Sequence, residues 1–213
     1  MRTDDLIGAL ADRLEPTSPR APLREMTLWL LGGVTASVAA MLLWRGLRPD
    51  MMAAMATGMF WTKFAYTLAI GAAALWAAER LGRPGAKADR PARIVQSLIV
   101  GVVVLGAARY LTAAGDQRHL LLMGHSASLC PWNIFALSIP ILIGAVMGLR
   151  RLAPTRPTVA GLAAGLAAGG LGAFVYSFSC NESAMPFVAA WYTLPVLASG
   201  ALGALIGRYS LRW

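Results

Sequence analysis

The sequence predicts an all-α, polytopic membrane protein: a bundle of six transmembrane helices with a short amphipathic cytoplasmic helix at its N-terminus. Three observations predict it. The 213 residues are 57% hydrophobic and 14% charged, whereas soluble domains average ~45–50% apolar and ~25% charged residues. Long runs are apolar on every side rather than striped, as lipid-embedded helices are, and most approach the ~20 residues that cross ~30 Å of hydrocarbon. Lys and Arg gather at alternate ends of those runs. That distribution accounts for the net charge of +9 without a nucleic-acid partner, whose footprint is a single basic patch.

Met1 to Glu25 is polar and does not read as a signal peptide, because the apolar run behind it begins late, is long and lacks a small-residue cleavage site. Within it Thr3 is a candidate N-cap, with Asp4 and Asp5 in the first turn. Leu6, Ile7, Leu10 and Leu14 recur at spacings of three and four and form one apolar stripe. A helix of about twelve residues is marginal alone in water, so the stripe needs a surface. The membrane interface, the body of the protein and a partner's groove all remain open. Asp4, Asp5, Asp12 and Glu15 outweigh Arg2 and Arg13, a balance that anionic lipid disfavours and a basic partner favours. Pro16, Pro19 and Pro22 then make a semi-extended tether. The expected division is residues 1–25 as a cytoplasmic binding segment with its tether, and 26–213 as the transmembrane domain.

The expected spans are Thr27–Trp44, Thr62–Ala78, Ile94–Thr112, Ile134–Leu149, Val159–Ser177 and Phe187–Gly207. The fourth is the shortest and carries Pro140 near its middle. An even number of crossings puts both termini on one side. All but five of the 19 Lys and Arg lie on the side of the termini; the exceptions are Arg45, Arg48, Lys63, Arg109 and Arg118. The bias places both termini in the cytoplasm of a bacterial inner membrane. Lys63 and Arg109 fall near the outer ends of their spans, where snorkelling to the interface is expected. No acidic group falls at mid-span, which weakens a proton or ion path. Gly161, Gly165 and Gly169 recur every four residues, a period that lets two backbones approach closely. Packing within one bundle is the favoured reading and a homodimer the other.

Two cysteines without CxxC exclude a thioredoxin-like motif, and without a Cys/His array they exclude a zinc finger. Cys130 falls in the loop Gly115–Asn133 and Cys180 in Ser179–Ser183, both on the outward face, which in a two-membrane bacterium is an oxidising periplasm. Three readings are open. A structural disulfide would close a loop of about fifty residues and contribute about 4 kcal/mol on the loop-entropy model. A switchable thiol pair would tie and release two helical hairpins. A soft-metal site would use both thiolates, with His119 or His125 joining.

Further residues carry a resemblance: Phe60-Trp61-Thr62-Lys63, Cys130-Pro131, Ser138-Ile139-Pro140, and the small-residue run Ala160–Ala173 leading to Tyr176, Cys180, Glu182, Phe187, Trp191 and Tyr192. With the stripe Thr3–Leu14 and the Pro-rich tether, they make the chain resemble the NrsF family (negative regulator of sigma F) over nearly its whole length. These are six-span inner-membrane anti-sigma factors that control an extracytoplasmic-function sigma factor. The resemblance implies that Asp4, Asp5, Leu6, Ile7, Leu10 and Leu14 contact the sigma factor and that Cys130 and Cys180 sense oxidative or heavy-metal stress. It implies neither a catalytic centre nor a resident cofactor, only a transient heavy-metal ion. Where the family commonly has a histidine before the second cysteine, this chain has Ser179, one soft-metal ligand fewer. The reading from another class is a small transporter or channel, for soft metals, with the cysteine pair as its outer capture site. A membrane thiol oxidoreductase is third, lacking a CxxC and any haem or quinone ligand set.

Overall fold

The computed structural model describes Gly8 and residues 21–211, and their regular structure is helical throughout. Asp4, Asp5, Leu6, Ile7, Leu10, Leu14 and most of the tether lie outside the described residues. The helices are α1 (Ala21–Trp44), α2 (Met51–Met55), α3 (Gly58–Leu81), α4 (Asp89–Thr112), α5 (Gly115–Met123), α6 (Cys130–Leu149) and α7 (Pro157–Tyr176). A short α8 (Met185–Phe187) runs through a π-helical turn at Val188–Tyr192 into α9 (Thr193–Ser210).

Composition makes α7 the axis of the bundle. Its glycines and alanines let neighbours close to backbone contact, and it packs against α3, α6 and α9. A Cβ on Gly165 would meet Gly200 Cα at 2.8 Å, and one on Gly169 would meet Val196 Cα at 2.7 Å. The four-residue glycine period is therefore spent inside the chain, on α9. On the other side Gly170 faces Gly71 of α3, with Gly71 N at 2.6 Å from a built Cβ. Helix α1 lies along α6 by the same device: a Cβ on Gly148 would meet Met26 Cα at 2.9 Å, and one on Gly33 would meet Pro140 O at 2.6 Å. Pro140 interrupts the helical hydrogen-bond ladder without ending α6, and Ser37 of α1 donates to the nearby Leu137 carbonyl at 2.8 Å. The apolar window of α7 is 67% buried, against 17% in α1 and α4. The outer faces of those two helices are bare leucine, valine and tryptophan, suited to lipid.

Among the described residues five helices are long and apolar enough to cross a membrane: Leu23–Trp44, Asp89–Thr112, Cys130–Leu149, Pro157–Tyr176 and Met185–Ser210. The second expected span forms α3, equal in length to α1 at 24 residues. Lys63, with Thr62, Tyr66 and Thr67 in its first turns, keeps it below that apolarity. The sequence count of six is thus five by this measure, with α3 as a more polar, internal sixth long helix.

Other expectations are corrected. Residues 115–123 form α5 rather than open loop, and Pro22 lies in the first turn of α1 rather than in the tether. Cys130 is the first residue of α6 and is fully buried, not a loop residue. Lys63 does not snorkel; it is fully buried within the bundle. The antiparallel order puts the ends of α1, α4 and α7 and the starts of α3, α6 and α8 together at one end. Arg80, Arg83, Lys87, Arg90, Arg93, Arg150, Arg151, Arg156 and Arg208 belong to the opposite end.

Candidate functional site: a buried thiol pair

The two cysteines meet where α6 begins and the link after α7 folds back. Cys130 Sγ and Cys180 Sγ stand 3.6 Å apart across 50 residues of chain, and both thiols are free. Helix α6 starts at Cys130 because Pro131 suits a first turn, where its missing N–H is not needed. The Ser126 carbonyl accepts the Cys130 N–H at 2.9 Å. Around Cys130 Sγ lie Ser126 Oγ at 3.2 Å and Tyr176 Oη at 3.3 Å, and Asn133 Nδ2 donates to that same phenol at 3.2 Å.

Cys180 is held by its backbone. Its carbonyl accepts from Lys63 Nζ at 3.1 Å and from Arg48 Nη1 at 3.2 Å. Lys63 also donates to the Glu182 carbonyl at 2.9 Å and lies 5.6 Å from the centroid of the Tyr192 ring. Arg48 is oriented by a two-pronged pair with Asp50, at 2.8 and 2.7 Å, and its own N–H binds the Phe178 carbonyl at 3.0 Å. The guanidinium holds the Asp50 carboxyl below the usual carboxylate range through that hydrogen bond. Two cations from different segments thus converge on one carbonyl. Burying either is tolerable because each is hydrogen-bonded.

A polar strap closes the top. Glu182 Oε1 accepts the His125 backbone N–H at 2.7 Å and Ser126 Oγ at 3.3 Å. Gly124, at φ +50°, makes room for that carboxylate: a Cβ there would sit 2.6 Å from Glu182 Cδ. Trp191 Nε1 ties the strap to the π-helical turn through the Leu122 carbonyl at 2.8 Å. The Tyr192 hydroxyl is buried with no hydrogen-bond partner among the described residues. It borders the Cys180 thiol and helps hold it below its ordinary pKa.

Hydrogen bonding from Cys130 and the ammonium of Lys63 hold the Cys180 thiol below its ordinary pKa, against the opposing effect of burial. The arrangement can therefore present Cys180 as thiolate and Cys130 as its neighbour, the pattern from which disulfides form. Two close thiols also make a two-coordinate seat for a soft cation. His125 reaches the site only by its backbone, and among the described residues no group of three or more Cys, His, Asp or Glu is placed to hold a metal. His119 lies on α5. Sequence reasoning missed Lys63, Arg48 and the Glu182 strap. The available signals were a lysine at the start of a span-forming segment, Phe60-Trp61-Thr62-Lys63, and Glu182 in the series that carries the resemblance.

Fold and site define a class: a bundle, helical throughout its described residues, with membrane-length apolar helices and, at the end opposite most of its basic residues, a buried and hydrogen-bonded thiol pair. Residues 10–213 match the family described as NrsF, negative regulator of sigma F. Curated relatives match end to end, covering 100% of both chains. "Anti-sigma-F factor NrsF" of Caulobacter vibrioides is 42% identical. "Probable anti-sigma-F factor NrsF" of Azospira oryzae is 34% identical. No solved structure matches the chain. The chain belongs to the NrsF family.

Proposed function

We propose that the protein is a membrane-bound anti-sigma factor, without catalytic activity, that sequesters an extracytoplasmic-function sigma factor through its N-terminal segment. Asp4, Asp5, Leu6, Ile7, Leu10 and Leu14 form the contact, and release follows oxidative or heavy-metal stress at Cys130 and Cys180. The observation that carries the reading is the 3.6 Å sulfur–sulfur approach in a chain matched end to end by relatives named anti-sigma-F factors. In this reading α3 is the sixth span. The basic end faces the cytoplasm with both termini, and the thiols face the periplasm of the inner membrane.

An acidic, amphipathic helix suits the basic helical surface that a sigma factor turns to polymerase and promoter. Opposite charge steers association, and the leucines supply residence time. On oxidation the two thiols give up two electrons and two protons to the oxidant, and the sulfurs close to the ~2.05 Å of a disulfide. A soft cation instead displaces the thiol protons and bridges the sulfurs. Either event moves the Cys180 backbone, and with it Arg48 and Lys63, which hold its carbonyl. Arg48 lies four residues beyond the end of α1, and α1 packs along α6 to the other end of the bundle, where it begins at Ala21. Inverting the bound-to-free ratio from 1:99 to 99:1 takes ~5.5 kcal/mol. That exceeds the ~2–4 kcal/mol typical of one disulfide, so partial release is the expected output of a single switch.

The test is differential alkylation of resting membranes, before and after an oxidant or a thiophilic metal, with pull-down of the sigma factor in parallel. Thiols free at rest, protected after stress, and a matching loss of captured sigma factor support the reading. Release with both thiols still free would sink it.

A further inference from the structure

At the basic end a cleft of about 790 Å³ opens between α3, α4 and α7. Its wall is apolar, built from Ala74 and Ala77 of α3, Val95 and Ile99 of α4, and Leu162 and Leu166 of α7. Its mouth is polar, formed by Lys87, Thr155 and Arg156 with one carboxylate, Asp89, while Gln96 sits about 10 Å along α4 beside the wall residue Val95. Lys87 and Arg156 are exposed, and neither is ion-paired among the described residues. Helices α4 and α7 both start at this mouth, and neither start has a side-chain cap. Pro91 and Pro157 carry no N–H, so the uncapped donors at these two starts are those of Asp89 and Arg90 and of Thr158 and Val159, and they add positive potential to that of the two cations. Along α4 the cleft runs from Asp89 to Val100, about 16 Å at helical rise. That is about half of a ~30 Å hydrocarbon core, the depth of one leaflet.

Shape and charge together select the occupant. The wall accepts acyl chains, and the mouth accepts a phosphate at headgroup level. A second copy docked here about a twofold axis would set its own Lys87 and Arg156 against the first pair, like charge on like. We propose that this cleft is a binding site for one anionic phospholipid of the cytoplasmic leaflet. Its phosphate lies between Lys87 and Arg156, and its chains fill the gap between α4 and α7. Basic pockets between membrane helices on the cytoplasmic side recognise such headgroups. The inference rests on the reading of the bundle as membrane-embedded with its basic end inward.

The full chain, reconstituted in nanodiscs of equimolar phosphatidylglycerol and phosphatidylcholine, is released into a native mass spectrometer and its retained lipid identified. One phosphatidylglycerol per chain is expected, in roughly tenfold preference over phosphatidylcholine. Lys87→Gln with Arg156→Gln should bring the two lipids to parity, and Ala92→Trp, which fills the cleft from its exposed rim, should remove the bound lipid. Arg93→Gln, outside the lining, should change nothing. Equal retention of both lipids by the unaltered chain would overturn the proposal, even if the variants fail to incorporate. So would a preference that survives both cleft variants, or a dimer mass that Ala92→Trp abolishes. Release of the chain from native membranes by alkaline carbonate would instead refute the membrane reading beneath it.

Discussion

Lys63→Met removes the buried ammonium at the thiol site and keeps a side chain of similar length. Two carbonyls lose a charged donor, Glu182 O at 2.9 Å and Cys180 O at 3.1 Å. Cys180 O keeps Arg48, so Glu182 O is the group left without a donor among the described residues. Hydrogen bonds to charged groups contribute ~1.5–3 kcal/mol, and the orphaned Glu182 carbonyl, being part-buried, costs toward the lower end of ~1–3 kcal/mol. Against this, the methionine no longer carries the desolvation of a buried cation. The balance is a loss of about 2 kcal/mol, confined to the link between α7 and α8, and it raises local opening roughly thirtyfold. Opening alone would speed alkylation of Cys180 at every pH. The ammonium acts differently: it helps hold the Cys180 thiol below its ordinary pKa, so its removal moves the pH midpoint of the reaction upward. Losing ~1.4 kcal/mol of thiolate stabilisation lowers the rate below the midpoint tenfold relative to the plateau. Pulsed iodoacetamide labelling of native membranes across neutral pH, with peptide mass mapping, separates the two effects. A midpoint that stays put or falls in Lys63→Met would refute the argument that the ammonium supports the thiolate.

Cys130→Ser, Cys180→Ser and the double variant should give one common sigma-release phenotype, because sulfurs 3.6 Å apart act as a unit; additive effects in a reporter assay would separate their roles. Replacing Leu6, Leu10 and Leu14 with Asp should abolish capture of the sigma factor in a pull-down while the chain stays in the membrane fraction. Gly165→Leu should lower the melting temperature in detergent through a loss of about 3 kcal/mol, since its Cβ would fall 2.8 Å from Gly200 Cα. Gly101→Ala, with nothing within 4 Å of its Cβ, should be neutral or slightly stabilising. Arg48 holds the Asp50 carboxyl below its ordinary range, so the pair's contribution is full above the unfolded carboxylate pKa and is lost only as pH falls through the lowered folded one. Protection of the Arg48 amide in hydrogen exchange should therefore survive mild acid, and Asp50→Asn should lose it at neutral pH.

Much of the fold was legible because hydropathy and helical packing write local signals. The apolar runs located the long helices to within a few residues at most ends. The glycines of Val159–Ser177 marked the helix that others approach most closely. The boundaries that slipped did so for local reasons of a different kind. Helix α6 reaches back to Cys130 because a proline follows it, and residues 115–123 form a helix despite their polarity, resting on α4 and α8. Lys63 misled because hydropathy treats a lysine near a span's end as a snorkelling group. It does not register two carbonyls waiting for it inside the bundle.

The sequence by itself determined the membrane-length helices, the alternation of charge between the two ends, and membership of the family through residues spread along the whole chain. Those properties add up residue by residue. Only the tertiary structure decided that the two thiols are buried in contact, and that Arg48 and Lys63 converge on the Cys180 carbonyl from 132 and 117 residues away. The same packing opens a leaflet-deep cleft between α3, α4 and α7. Such features depend on how each helix is rotated about its axis and how close its neighbour comes, which side-chain packing sets and no local pattern encodes.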